Sequence, residues 1–340
     1  MNKSQKINLE QAFDTVGGFG RYQVFATIAM MITRNSGFYL FNAFPYLVMD
    51  QKYECRDNAT GVYSSCTAEQ ICDESGPTVT YRVDKSYEYY LNNWFTEMDM
   101  VCFSEQAISS MLTLFFVGFA IGGLVMYPLP DKYGRRKSML FDYALNLICQ
   151  IGVLAIPQYS TRAFLFGGIG FFQIKNSLSY VWLFESVPSR HKTIACTLIN
   201  SFDAIPYIVI CVYFDHMSSN WLPLQVFMTS LGVLAYVFIL LAMPESPRWH
   251  LIKGNKEEAI DSLNQIAHFN GSLNRIPFDA RFIEDKNEWE DNFVEREIAK
   301  LEDEAGPRHK LVVPVVRRRQ MSSIAEFTVR RRKFEKVLRK

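Results

Sequence analysis

The sequence predicts an all-α membrane protein with six transmembrane helices, an outer loop that contains disulfides, and a cytoplasmic tail. Three observations lead to this fold class. Hydrophobic residues make up 49% of the 340 residues and gather in six long runs. Charged residues gather instead in the connecting loops and in the part of the chain after Arg248. Four of the seven cysteines lie in or at the end of one polar segment between the first two runs.

Each apolar run reaches about 20 residues, the length with which a helix crosses the hydrocarbon core of a bilayer. Because a backbone in lipid must satisfy its own hydrogen bonds, runs of this length indicate helices and not isolated strands. The predicted spans are residues 22–49, 107–127, 138–156, 164–184, 194–214 and 222–243. They form a bundle domain over residues 22–249, which follows a short N-terminus at residues 1–21.

Charge predicts the orientation of these spans. The segment 50–105 holds 11 Asp and Glu against 4 Lys and Arg, whereas the loop 131–137 is strongly basic. Short loops rich in Lys and Arg stay in the cytoplasm. We therefore expect the outer loop, residues 50–106, to face outward and both termini to be cytoplasmic. The plasma membrane is the expected location, with an endomembrane as the alternative.

The outer loop carries two further signals. An even number of cysteines on the outer side of a membrane favours two disulfides, with three pairings open, over four reduced thiols. These cysteines are Cys55, Cys66, Cys72 and Cys102. Asn58 begins the tripeptide Asn-Ala-Thr and is therefore a glycosylation candidate.

Four strings of residues carry a family resemblance. Asp-Lys-Tyr-Gly-Arg-Arg-Lys at 131–137 resembles the loop between helices 2 and 3 of the major facilitator superfamily. Thr-Glu-Met-Asp-Met-Val-Cys at 96–102, Glu-Ser-Val-Pro-Ser-Arg-His-Lys-Thr at 185–193 and Pro-Glu-Ser-Pro-Arg-Trp at 244–249 are similar to segments of its organic cation, anion and zwitterion transporters, the solute carrier 22-like group. The order and spacing of the four strings agree with that family.

The resemblance covers roughly residues 9–271, which correspond to the amino-terminal half of such a transporter. It implies one half of a major facilitator fold, in which two six-helix halves hold the substrate between them. We therefore expect a second six-helix half or a homo-oligomer as partner, in addition to the lipid bilayer and a small organic ion. Tyr127 departs from the family, which usually has a glycine at this position.

The resemblance also implies a cytoplasmic gate made of ion pairs. We expect Glu185 to pair with Arg190 or Lys192, and Asp131 with Arg135 or Arg136. Topology signals and helix-end charge are the simpler interpretation. The full set of candidate gating residues is Asp131, Gly134, Arg135, Arg136, Glu185, Arg190, Lys192, Glu245 and Arg248.

Polar residues inside the spans suggest a substrate cavity, because ionisable groups in a membrane are costly and usually face a cavity or a partner. The candidates are Arg34, Lys175, Asp203, Asn146 and Asn200. The alternative is mutual pairing of Arg34 or Lys175 with Asp203 inside the bundle. Both signs of charge are present, so the charge of the substrate stays open.

Residues 250–340 form the predicted cytoplasmic tail, with amphipathic helices and a basic end. Residues 308–340 hold 12 Lys and Arg against 2 acids, a composition that suits the anionic cytoplasmic leaflet. A fold back onto the acidic residues 284–304, or a solvated tail, are the alternatives. We do not expect nucleic-acid binding from a segment tethered beside a bilayer.

These features favour a transporter-like protein, half of an organic ion transporter that acts by alternating access. The alternative is a non-transporting membrane subunit, or a truncated transporter, with a role in assembly or regulation. The sequence has no metal-ligand spacing, phosphate-binding glycine loop or nucleophile elbow, so we expect neither an enzyme nor a cofactor.

Overall fold

The computed structural model of the protein describes residues 6–57, 60–73 and 79–282. Asn58 and residues 283–340 lie outside these ranges. The predicted glycosylation and the predicted behaviour of the basic tail therefore stay predictions.

The described residues are mainly helical. The helices are α1 (Leu9–Thr15), α2 (Arg21–Asn35), α3 (Phe38–Leu47), α4 (Ala68–Ile71), α5 (Trp94–Glu97), α6 (Glu105–Met126), α7 (Leu129–Tyr133), α8 (Arg135–Ala155), α9 (Tyr159–Phe171), α10 (Ile174–Ser186), α11 (Ser189–Phe202), α12 (Ile205–Val212), α13 (Trp221–Ala242), α14 (Pro247–Ile252) and α15 (Lys256–Asn270). A π-helical turn, Tyr213–Met217, follows α12. The strands are β1 (Lys6–Ile7), β2 (Tyr53–Arg56), β3 (Tyr63–Cys66), β4 (Tyr81–Val83) and β5 (Arg281–Phe282).

Two small sheets mark the two ends of the bundle. The antiparallel sheet β3-β2-β4 lies in the segment that contains the four paired cysteines, and we call this end the disulfide end. β1 pairs in parallel with β5 at the opposite end, Lys6 beside Arg281 and Ile7 beside Phe282. The two disulfides, Cys55–Cys66 and Cys72–Cys102, confirm the prediction of two bridges and select one of the three pairings.

Within the described ranges, four helical segments are long and apolar enough to cross a membrane. They are Glu105–Tyr133, Arg135–Ala155, Ser189–Met217 and Trp221–Ala242, and they contain or overlap the second, third, fifth and sixth predicted spans. Their outer surfaces suit lipid, since Leu124 and Leu241 are about four-fifths exposed to the surroundings of the protein.

The apolar length of the first and fourth predicted spans predicts one long helix for each. In the structure each is instead a pair of shorter helices. α2 ends at Asn35 and α3 begins at Phe38, with Gly37 between them at a φ of 80°. α9 ends at Phe171 and α10 begins at Ile174. Each pair still runs from one end of the bundle to the other. Tyr46 of α3 and Arg162 of α9 contact Asn93 and Glu97 at the disulfide end. Tyr22 of α2 contacts Asn270 of α15, and Glu185 of α10 contacts Arg135, at the opposite end.

Glycines bring α6 and α9 into close contact along one side of the bundle. A Cβ on Gly118 would overlap the backbone oxygen of Gly167, and a Cβ on Gly122 would overlap that of Phe171. Small residues at such a crossing let two membrane helices approach backbone to backbone. The larger core side chains pack around this contact and include Tyr39, Phe44, Trp94, Phe115, Phe166 and Trp221 toward the disulfide end.

Candidate functional site

Arg135 is the centre of a charge network at the end opposite the disulfides. Its guanidinium donates to Asp131 at 2.6 Å and to both oxygens of Glu185 at 3.1 and 3.2 Å. The side chains of Arg135 and Glu185 are only 9% and 10% exposed, whereas Asp131 is 79% exposed. This fork geometry is the arrangement in which arginine binds carboxylates most strongly. The network therefore joins α7, α8 and α10 through one buried ion pair.

Glu245 completes the network by capping α8. Its Oε1 accepts the backbone N–H groups of Arg135 at 2.8 Å and Arg136 at 2.9 Å, the first free donors of that helix. Gly134 makes this approach possible, because a Cβ at Gly134 would overlap the Glu245 carboxylate. The anionic side chain also lies at the positive end of the α8 dipole.

The predicted pairing was right for Asp131 and wrong for Glu185. Asp131 binds Arg135 as expected, but Glu185 also binds Arg135, and not Arg190 or Lys192. Lys192 instead lies 4.0 Å from Glu10 of α1, whose carboxylate also accepts from the backbone and hydroxyl of Ser189. Arg190 and Arg248 are exposed, and Arg136 donates to the Leu240 carbonyl at 2.7 Å. The sequence interpretation paired neighbours within one loop, whereas folding brings α8 against α10.

Arg34 and Asp203 form a second ion pair, in the middle of the bundle. Nε of Arg34 lies 2.8 Å from Oδ2 and 3.0 Å from Oδ1 of Asp203, and Asn35 donates to the same carboxylate at 3.2 Å. The two side chains are 25% and 32% exposed. Asn200, one turn away on α11, is exposed and lies within 3.5 Å of the Tyr180 hydroxyl. The pair matches the mutual pairing that the sequence left open, and both side chains stay partly exposed.

Lys175 and Asn146 are fully buried, unlike the Arg34–Asp203 pair. Nδ2 of Asn146 donates to the carbonyls of Ile169 at 3.1 Å and Phe172 at 2.9 Å, where α9 ends. The ammonium of Lys175 donates to the carbonyls of Thr33, at 3.0 Å, and of Ser36, where α2 ends. In this conformation both side chains satisfy the backbone of interrupted helices and do not line an open cavity.

Sequence patterns alone did not identify a further ion pair, at the disulfide end, between Arg162 and Glu97. Both terminal nitrogens of Arg162 donate to Glu97 at 3.1 and 3.2 Å, and the indole of Trp221 donates to the same carboxylate at 3.1 Å. Arg162 is completely buried and its guanidinium lies 5.2 Å from the Trp94 ring and 5.3 Å from the Trp221 ring. Glu97 belongs to the family string at 96–102. Arg162 lies just before the fourth apolar run, outside all four family strings, so no sequence pattern marked it as the partner of Glu97.

The same string contributes two more contacts of the outer segment. Asp99 has a φ of 51° and accepts a 2.7 Å hydrogen bond from Tyr81 of β4. Partial burial and this carboxylate raise the pKa of Tyr81 to about 12, so the phenol remains a donor at neutral pH. Cys102 is bonded to Cys72. The string therefore fixes the small sheet to the bundle.

Comparison with known proteins decides the family. The family described as sugar (and other) transporter matches residues 24–295, most of the chain. The chain belongs to this family of transporters. The organic cation transporter-like protein of Drosophila melanogaster is 30% identical over 254 residues, which are 72% of this chain and 42% of that protein. Organic anion transporter 3 of Sus scrofa is 30% identical over 178 residues, or 52% of this chain and 32% of that protein.

A third relative extends the match. Solute carrier family 22 member 13 of Homo sapiens is 24% identical over 297 residues, 76% of this chain and 53% of that protein. The chain thus spans between a third and about half of the length of these transporters. Among solved structures, the partially occluded inward-open xylose transporter XylE from E. coli matches 73% of this chain and 55% of its own, with 19% identity and a TM-score of 0.41. The predicted family is confirmed, and the relatives are named as transporters and not as enzymes.

Proposed function

We propose that this chain is half of an organic ion transporter that works by alternating access together with a second six-helix half or a further copy of itself. The observation that carries the proposal is the Arg34–Asp203 pair, a charged pair inside a membrane bundle that stays partly exposed. Charged groups at such depth are costly unless they are paired or serve a pathway. Here the pair connects α2 with α11 beside the α2–α3 interruption, and interrupted helices are where transporters commonly bind ions.

The topology that we propose has six spans, with α2–α3 and α9–α10 crossing as interrupted helices. The positions of their ends support this, since each pair begins at one end of the bundle and finishes at the other. The disulfide end would face outward, because disulfides persist in oxidising compartments. Both termini would then be cytoplasmic. The membrane that we propose is the plasma membrane.

The Arg135 network would act as the cytoplasmic gate. Asp131, Arg135, Glu185 and Glu245 hold α7, α8, α10 and the start of α14 together at that end. Separation of these elements would expose the buried Arg135–Glu185 pair to water. A partly separated pair would leave a buried charge without its partner, so the bundle would favour two discrete arrangements, closed and open.

Tyr127 favours the second candidate, a non-transporting membrane subunit. Its hydroxyl lies 2.8 Å from the Ser177 hydroxyl, so it covers the α6–α10 face at the position where the family usually has glycine. A side chain that fills this face would hinder the approach of another helix, and the bundle would then serve for assembly or regulation.

Uptake measurements with charge-neutralised variants test the proposed cavity. We expect Arg34→Gln to lower the uptake of organic anion probes, and Asp203→Asn that of organic cation probes, by about tenfold, because each removes one charged contact. The matched control neutralises the exposed Arg82–Glu54 pair of the outer sheet, N···O 2.7 Å, which should leave uptake unchanged. Uptake that stays at the wild-type rate in folded Arg34 and Asp203 variants would refute the cavity.

Measurement of the molecular mass in mild detergent tests whether the chain associates with a second half or with another copy of itself. The transporter proposal requires a complex larger than one chain whenever the full chain supports uptake. A stable monomer that takes up neither cationic nor anionic probes in proteoliposomes would leave the assembly role as the better description.

A further inference from the structure

The ammonium of Lys175 lies in a cage of oxygen atoms at the centre of the bundle. Its Nζ is 3.0 Å from the Thr33 carbonyl and also contacts the Ser36 carbonyl. The side-chain oxygens of Gln173, at 3.3 Å, and Asn176, at 3.4 Å, complete the cage. Lys175 is fully buried, so protein oxygens replace water around this charge.

The cage has the chemistry of a site for a small monovalent cation. Two of its four oxygens are backbone carbonyls at the C-terminal end of α2, the negative end of a helix dipole. Carbonyls at interrupted helices coordinate sodium ions in membrane transporters of other architectures. Gln173 and Asn176 add two neutral amide oxygens, ligands that suit hard cations.

A carboxylate next to the cage balances the charge. Oδ2 of Asp142 accepts the backbone N–H of Lys175 at 3.0 Å, whereas its Oδ1 is buried and has no hydrogen-bond partner among the described residues. Asp142 is itself completely buried. A buried anion without full hydrogen bonding is stabilised by a nearby cation, and Lys175 supplies that cation from within the chain.

We propose that Lys175 is a tethered cation that fills a monovalent metal-ion site, so that the bundle closes on its own ammonium and needs no bound Na⁺ or K⁺ at this place. The inference is independent of the proposed transport function, because it concerns what holds the α2–α3 interruption closed. It implies that removal of the side chain opens the cage to a metal ion.

The thermal stability of the purified full chain in different salts tests this. Wild type, Lys175→Ala and Lys175→Met are solubilised and heated in NaCl, KCl or choline chloride at equal ionic strength. We expect the Lys175→Ala protein to melt about 3 °C or more higher in roughly 150 mM Na⁺ or K⁺ than in choline, because the ion binds only the folded cage. Lys175→Met is the matched control, since its apolar chain occupies the same space without opening the cage, and neither it nor wild type should distinguish the salts.

Each other result counts against the proposal. Equal melting of Lys175→Ala in all three salts, or no monodisperse Lys175→Ala protein in any of them, would mean that the vacant cage does not bind a metal ion. A specific Na⁺ or K⁺ effect on wild type or on Lys175→Met would place the ion elsewhere. Recovery of folded Lys175→Ala only in the metal salts would support the proposal even without a melting curve.

Discussion

Gly134 shows at the scale of one residue how the charge network is assembled. It joins α7 to α8 with a φ of 108° and a ψ of 156°, a combination that is open almost only to glycine. The absence of a side chain also leaves room for the Glu245 carboxylate, which caps α8. One glycine thus provides both the backbone turn and the space for the cap.

We predict that Gly134→Ala destabilises the chain more than Gly254→Ala does. Both glycines have a positive φ, 108° and 82°, but no atom of the described residues lies within 4 Å of a Cβ built on Gly254. Backbone strain alone should cost about 1 kcal/mol at Gly254, whereas strain plus the displaced Glu245 cap should cost about 3 kcal/mol at Gly134. Melting temperatures in detergent measure the difference, and equal losses for the two variants would contradict the role given to Glu245.

At the scale of elements, the crossing of α6 and α9 depends on which side of α6 a glycine occupies. We predict that Gly122→Ala destabilises the bundle, because its Cβ would overlap the Phe171 backbone and force the helices apart, at a cost of about 1–3 kcal/mol. Gly123→Ala is the adjacent control, since its Cβ would meet only the Tyr127 ring at an ordinary 3.4 Å. Alanine also suits a helix interior better than glycine by about 1 kcal/mol, so Gly123→Ala should be neutral or stabilising. A lower melting temperature for Gly122→Ala but not for Gly123→Ala is the expected outcome, and a loss at both positions would argue against a specific crossing.

The interrupted helices mark what the sequence could predict about elements and what it could not. Hydropathy located the four helical segments that are long and apolar enough to cross a membrane, because apolar side chains recur along the whole length of such a segment. The interruptions at Gly37 and Gln173 depend instead on distant partners, Lys175 and Asn146, that satisfy the freed carbonyls. Asn-Ser-Gly at 35–37 is a turn-like string inside an apolar run and was the available local signal.

The candidate site follows the same division. The residue types of the network were identifiable from the family strings, and the pair between Asp131 and Arg135 follows from their spacing of four residues. The bonds of Glu185 to Arg135, and of Glu97 to Arg162, join residues 50 and 65 positions apart. Pairing over such distances is set by helix packing, which charge patterns along one sequence do not contain.

At the scale of the whole molecule, the two ends of the described chain meet at the end of the bundle opposite the disulfides. β1 pairs with β5, and the Asn270 amide at the end of α15 connects three segments. Its oxygen accepts the Tyr22 N–H at 2.8 Å, while its nitrogen donates to the Val16 carbonyl at 3.2 Å and to Gln23 at 3.3 Å. Glu10 of α1 in turn caps the start of α11 at Ser189. A continuous series of contacts therefore links α15 through α1 to the helix of the fifth predicted span.

We predict that Asn270→Ala loosens the amino-terminal helix while the bundle stays folded. Loss of the three hydrogen bonds should raise the amide exchange rate of residues 9–16 by about tenfold or more, because local opening then costs less free energy. Gln265→Ala is the matched control on the same helix: Gln265 is exposed, and among the described residues its side chain bonds only within α15, to Asp261 at 2.7 Å. Hydrogen exchange read by mass spectrometry should show faster exchange near α1 and at the start of α11 for Asn270→Ala alone. If exchange at residues 9–16 were unchanged, the contacts of Glu10 and β1 would suffice to hold the joint, and Asn270 would merely end its helix.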